Sequence, residues 1–393
     1  MTRYSEVFGA GGFRVLFALQ TLLMVGDTVR MLALSVLVFE RTGSPLAAAL
    51  VYGAGFLPYV LGGTLLLALA DRTRARTLLT GFHLLRAAVT ALLAGVGVPL
   101  PVVLALLLLV GVFAPVAAAS ANGLLPELLP GDGYVLGRSL LTMSAAASQI
   151  AGQGVGGVLL LAAGPRTALW AVAGSALGAA VLARFAMGDR PPRRVGNGAP
   201  VRETWRVNRR LLGDAGTRRL LLAQWSPISL AVGAEGVLIP YVAGIGRPGA
   251  AGIVLAAMAS GLLLGNLVVG RFAAPALRER LALPLALAAG APLLAFALRP
   301  GVALASVLWF LSAVGLSYEL SLQRPFLDRV PEAHVGQALG LASMGLMTGQ
   351  AAAIASAGAL GEVLDAGTVT ALCGAASMAA SLALLRGAGG RNG

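Results

Sequence analysis

The sequence predicts an all-α membrane protein: twelve transmembrane helices forming two parallel, pseudo-symmetric six-helix bundles, with both termini cytoplasmic. Three observations carry this. Of 393 residues, 58% are hydrophobic and 11% are charged, whereas a soluble chain of this size carries roughly 25% charged residues. A spanning helix needs ~20 mostly apolar residues, and twelve segments reach that length. The second half of the chain also repeats the first.

The first bundle is expected to use segments near 13–38, 45–69, 77–96, 101–121, 138–163 and 166–186. The run from Phe13 to Phe39 is too long for a signal-peptide core, and no A-x-A-like site follows it. It is therefore expected to be the first span and not a cleaved leader. The second bundle is expected near 219–243, 250–273, 281–298, 302–322, 336–360 and 367–386. Between them lies the long polar stretch "MGDRPPRRVGNGAPVRETWRVNRRLLGDAGTRR". Its Pro, Gly and Arg content marks a linker, with a short amphipathic helix around "RETWRVNRRLL". The expected division is thus 1–186, a linker at 187–218, and 219–393.

Arginine sets the expected orientation. All 29 basic residues are Arg. With the N-terminus inside, 24 fall in cytoplasmic segments, while Arg41, Arg166, Arg247 and Arg299 fall outside and Arg30 lies within a span. That asymmetry is the positive-inside signal. It accounts for the net charge of +13, so no nucleic-acid partner is called for.

The repeat is read by sliding the chain 201 residues, which lays "LLPELLPGDGYVLGRSLLTMSAAASQ" on "PFLDRVPEAHVGQALGLASMGLMTGQ". Ser120 then meets Ser321, Glu127 meets Asp328, Pro130 meets Pro331 and Gln149 meets Gln350. An even number of spans per copy inserts both copies with the same orientation, as parallel repeats require.

Enzyme chemistry has little material. A Walker A site is impossible without lysine. His83 and His334 lie near loops, and Cys373 is the single cysteine, so no metal, cofactor or disulfide is expected. "GQGVGG" satisfies G-x-G-x-x-G through Gly152, Gly154 and Gly157. An apolar helix precedes it where a nucleotide site needs a strand, so close helix packing is the expected role. "GLLLG" at 261–265 and "GSALG" at 174–178 are read as packing faces too.

Several motifs resemble the major facilitator superfamily. "ALADRTRAR" resembles its G-x-x-x-D-R-x-G-R-R loop: Asp71, Arg72 and Arg76 match, while Leu67, Arg74 and Ala75 depart from it. The resemblance implies a cytoplasmic latch between the second and eleventh spans. In the fifth span, "SQIAGQGVGG" is similar to the antiporter signature ending G-P-x-x-G-G, with Gly152, Gly156 and Gly157 matching and Gln153 replacing Pro. That signature accompanies exporters. The fourth-span arginine common in drug–proton antiporters is absent, and Asn122 stands in that region. The opening "FRVLFALQTLLMVGDTV", with its Gly26–Asp27 pair, and "FERTGSPLAAALVYGAGFLPYVLGG" are similar to the enterobactin-exporter-like branch, also called transmembrane secretion effectors. In this architecture substrate binds between the halves near the bilayer midplane.

The remaining polar side chains within spans are Gln20, Gln149, Gln153, Gln224, Asn266 and Gln350. They are candidates to line a substrate cavity, although interhelical hydrogen bonds, averaging ~0.6 kcal/mol in membranes, explain any one of them as well. Charges discriminate better, because one at the bilayer centre costs at least ~2.5–3.5 kcal/mol. Asp27 and Arg30 share a helix face. Glu235 lies at a corresponding depth of the seventh span, and the resemblance implies that the first and seventh spans face each other across the cavity. Arg30 is therefore expected to exchange between Asp27 and Glu235, coupling protonation to conformation. His83 and Arg86, near the start of the third span, are expected to snorkel to the interface.

The resulting expectation is a monomeric, multi-pass exporter of a small molecule in the inner cell membrane, driven by proton antiport. Its partners would be protons, substrate and the lipid bilayer. The rivals are a proton-coupled importer, a non-transporting membrane sensor or scaffold, and a membrane enzyme.

Overall fold

Apolar runs of this length can satisfy their backbone N–H and C=O groups inside a bilayer by forming helices. A computed structural model of the chain describes residues 4–55, 73–129, 132–190, 201–331 and 334–385, and all regular structure among them is helical. Nine helical segments among these residues are long and apolar enough to cross a membrane. The protein is a multi-pass membrane protein.

In the first half, α1 is Tyr4–Gly9, α2 Gly11–Thr42, α3 Pro45–Gly53, α4 Ala75–Gly95, α5 Leu100–Leu128 and α6 Asp132–Ala186. The span expected at 45–69 is helical to Gly53, and residues 56–72 lie outside the described residues. The spans expected at 138–163 and 166–186 are the two arms of α6. They are separated by a kink at Gly164, whose φ of 77° suits glycine, followed by Pro165.

In the second half, α7 is Val201–Gly213 and α8 is Ala215–Gly233; a 3₁₀ turn, Ala234–Val237, leads into α9, Leu238–Gly244. Then come α10 Ala251–Phe272, α11 Pro275–Arg280, α12 Ala282–Leu294, α13 Val302–Gly315, α14 Glu319–Leu327, α15 Val335–Leu360 and α16 Ala366–Leu385. The amphipathic helix read in the linker is α7. Its Val207 and Leu211 pack on Leu221, Phe326, Val330 and Ala338. Asp214 caps α8 by accepting the Thr217 N–H at 2.7 Å, a bond that holds its carboxyl below the usual carboxylate range.

The chain forms two compact units: Met1–Arg41 with Ala54–Gly196, and Thr42–Gly53 with Asn197–Gly393. In the first, Phe8 meets Phe13 and Phe17 edge to face, and the three rings join α1 and α2 to Leu125, Leu129 and Leu141. In the second, α3 lies on α15 and on the 3₁₀ turn, where Gly236 and Gly358 leave no room for a Cβ against Ile354 and Ala49. Glu362 caps α3 from the loop beyond α15. Ser44 Oγ donates to its carboxylate at 2.5 Å and the Leu46 N–H at 2.9 Å, and these bonds keep the Glu362 carboxyl below its ordinary range.

Small residues set the helix spacing, as expected where lipid supplies no hydrophobic drive between helices. Gly261 and Gly265 of "GLLLG" press on the backbone of Phe310 and Val314. A Cβ on Gly290 or Gly374 would lie 2.5 or 2.6 Å from the other's carbonyl oxygen. "GSALG" is a correction: a Cβ on Gly174 or Gly178 would meet nothing within 4 Å among the described residues. The four-residue spacing marks a stripe along a helix, but whether a neighbour covers that stripe depends on how the helices pack.

Candidate functional site

Two groups of buried charge stand out, one in each unit. In the first unit, Asp27 lies about 24 Å along α2, a helix about 48 Å long. The i,i+3 spacing puts Arg30 on the same face, and Arg30 Nη2 donates to Asp27 Oδ1 at 2.8 Å. A second guanidinium reaches the same oxygen from α4: Arg86 Nη2 donates at 2.9 Å. Arg86 is 2% exposed and sits about half-way along α4, beside His83 Nδ1 at 3.4 Å and over the Phe82 ring at 5.9 Å. Neither Arg86 nor His83 snorkels, because Asp27 and the close-packed α2 hold them inward.

Glycine 26 explains how Arg86 gets there. A Cβ at this position would sit 3.4 Å from Arg86 Nη2 and 3.6 Å from Ser175 Oγ. The Gly26–Asp27 pair therefore does two jobs, opening space beside α2 and supplying the acid that fills it.

In the second unit, Glu235 lies in the 3₁₀ turn that interrupts the α8–α9 span, and it is 7% exposed. Mid-helix 3₁₀ stretches often mark functional hinges. Its partner is Tyr52 of α3, whose hydroxyl lies 2.6 Å from Oε2. In this structure Arg30 is bonded to Asp27 and Glu235 to Tyr52, so each is engaged within its own unit. Tyr52 and Arg86 were not among the sequence candidates. A buried Tyr hydroxyl needs a partner, and that was the available hint for Tyr52.

The other candidates scatter. Gln20 Nε2 donates to the Leu141 carbonyl at 3.0 Å, tying α2 to α6. Gln153 and Gln224 are buried, and Gln153 Oε1 and Gln224 Nε2 have no hydrogen-bond partner among the described residues. Gln149 and Asn266 are exposed and Gln350 is half-buried. Of the loop motif, Asp71 and Arg72 lie outside the described residues. Arg76, with Arg74, converges on Asp189 at 3.1 and 2.8 Å. Exposed pairs of this kind contribute ~0–1 kcal/mol each.

The glycine motif of α6 packs where α2 carries its charges. A Cβ on Gly152 would lie 2.9 Å from Thr28 Cβ and 3.1 Å from the Val25 carbonyl oxygen; on Gly156 the nearest atoms are 3.4–3.5 Å away, at Val29 and Leu32. Gly157 is also buried. Gly152→Val is expected to destabilise by about 1–3 kcal/mol through overpacking, while Gly156→Ala changes stability by less than about 1 kcal/mol. Melting curves of the purified variants check this, and equal behaviour would mean that α2 does not lean on Gly152.

Among the described residues no group of three or more His, Cys, Asp and Glu side chains could hold a metal ion. The arrangement is one of ion pairing in the first unit and a Tyr–carboxyl hydrogen bond in the second.

Comparison with known proteins places this geometry in context. The profile described as Major Facilitator Superfamily matches residues 16–321. No curated protein matches by sequence. Among solved structures, the nucleoside transporter NupG superposes with a TM-score of 0.77 at 15% identity, covering 95% of this chain and 98% of its own. A POT family transporter in complex with a thioalcohol-conjugated peptide gives 0.71 at 10% identity, with 95% of each chain covered. A bacterial homologue of the human lysosomal transporter Spinster, inward-facing and unoccupied, gives 0.68 at 16% identity over 95% and 94% of the two chains. At these identities the likeness is one of fold.

Proposed function

The chain belongs to the major facilitator superfamily, and from that premise we propose that it is a secondary transporter that exports a small molecule by proton antiport with alternating access. It works as a monomer in the inner membrane, and Glu235 carries the proton. The observation behind this reading is the partner of Glu235. A Tyr hydroxyl can donate to a carboxylate and accept from a carboxylic acid, so the Tyr52–Glu235 bond survives either protonation state. Such a partner lets a carboxyl gain and lose a proton without losing its hydrogen bond.

Asp27 is placed differently. Guanidinium groups only donate, so the two that bond its Oδ1 suit the ionised acid. We therefore divide the roles expected of a switching Arg30: Asp27 organises charge in the first unit, and Glu235 loads and releases the proton in the second. Export is supported by the likeness of Gly152, Gly156 and Gly157 to the antiporter signature. The Gly26–Asp27 likeness to the enterobactin-exporter-like branch points the same way.

The test is proton flux in proteoliposomes that enclose a pH-sensitive dye, challenged with a panel of natural-product-like compounds. In wild type at least one compound should dissipate an imposed pH gradient. Glu235→Gln should reduce that flux by at least about tenfold at equal protein, and Tyr52→Phe, which loses one hydrogen bond to a charged group, should fall by a similar or smaller factor. Wild-type coupling in Glu235→Gln would place the proton elsewhere. Uptake directed by the opposite gradient would identify an importer.

A further inference from the structure

Resting on that transport reading, we infer that the Asp27–Arg30–Arg86 cluster is a binding site for a singly charged oxyanion, a carboxylate in its simplest form, carried by the transported molecule. The charges do not balance. Two guanidiniums share one carboxylate, with bonds of 2.8 and 2.9 Å to the same Oδ1. The charged groups acting on Arg30 are Asp27 and Arg86, so among the described residues no second acid offsets the surplus. His83, the other titratable neighbour, adds no negative charge. An unmatched cation in the middle of a membrane span is costly, and such residues mark substrate or ion pathways.

The donors are also unfilled. Arg30 Nε, Arg30 Nη1 and Arg86 Nε are buried and have no hydrogen-bond partner among the described residues. Guanidinium nitrogens have no acceptor capacity, so an acceptor must come from a group the cluster does not itself contain. The cluster has an open side as well. The Asp27 side chain is 31% exposed, whereas those of Arg30 and Arg86 are 10% and 2% exposed. An oxyanion arriving beside Asp27 would neutralise the surplus charge and accept from the orphaned N–H groups. Arg is suited to that task, being permanently charged and weakly hydrated. A neutral or cationic compound would leave the surplus charge unneutralised.

The experiment uses the purified full-length protein in detergent with no gradient imposed, so it reads binding apart from transport. Thermal unfolding is followed while sodium benzoate, neutral benzamide or sodium chloride is titrated at matched ionic strength. Benzoate should raise Tm in a saturable way, while benzamide and chloride should not. Arg86→Gln and Arg30→Gln should each weaken the benzoate response by at least about tenfold, the loss expected for a hydrogen bond to a charged group. If either variant fails to fold, the wild-type comparison of benzoate with benzamide still decides. A benzoate shift no larger than that of benzamide or chloride overturns the site, as does an undiminished response in both folded Arg variants. Loss of the benzoate response would leave proton-coupled export of a neutral or cationic compound standing. Loss of coupled flux with intact benzoate binding would remove the export reading and leave this site.

Discussion

Asp27→Asn is expected to lower the stability of the solubilised protein by about 3 kcal/mol, the low end for breaking a buried ion pair, because Asp27 keeps 31% of its side-chain surface. The substitution is nearly isosteric, so the loss comes from charge and not from volume. Arg30 and Arg86 would face each other across an amide, two buried cations without an anion. Arg86→Gln should cost much less, since the remaining Asp27–Arg30 pair at 2.8 Å is neutral. The order of the variants is the decisive feature. Asp27→Asn with Arg86→Gln removes one charge of each sign, and this double variant should recover a substantial part of the loss. Melting curves of the four proteins measure it as a double-mutant cycle, where contacting residues show coupling of about 0.5–3 kcal/mol. A single Asp27→Asn variant as stable as wild type would mean that the surplus charge is not felt.

Gly261→Ala should destabilise as strongly as a core substitution, by about 1–3 kcal/mol or more, although it adds one methyl group. The new Cβ would run into the Phe310 carbonyl oxygen and lie 3.1 Å from the Phe310 Cα. Backbone cannot rotate away as a side chain can, so α10 and α13 would have to separate along their length, and Gly265 against Val314 would follow. Gly174→Ala is the control within the same sequence pattern. Its Cβ meets nothing within 4 Å among the described residues, so it should gain the ~0.5–1 kcal/mol that Ala holds over Gly inside a helix. Opposite signs of the Tm change in these two variants are expected. Equal destabilisation would show that the stripe at 174–178 is covered after all.

Both results bear on how far a linear reading reaches. The apolar runs at 13–38 and 101–121 became α2 and α5, and the amphipathic stretch in the linker became α7, because length and periodicity are written directly into neighbouring residues. The Asp27–Arg30 bond was legible for the same reason: both residues belong to one helix, and three positions along a helix is one turn. The close packing of Gly152 and Gly156 in "GQGVGG" was readable once an apolar helix, and not a strand, was seen to precede it. A Cβ on Gly154 of the same run, by contrast, would meet nothing within 4 Å among the described residues.

Sequence alone determined the solvent, the helical class and the Asp27–Arg30 pair, which lies within one helix. Tertiary structure decided the rest. Arg86 lies 59 residues from Asp27 and Tyr52 lies 183 from Glu235, and nothing in local pattern links such positions. Which partner a buried charge finds depends on which helix faces lie together, and small residues control that through contacts with the backbone of another helix. "GLLLG" and "GSALG" share a spacing, yet among the described residues one is pressed against a neighbour and the other is not. A stripe of glycines states how closely a helix can be approached, and only the packed fold states whether anything approaches.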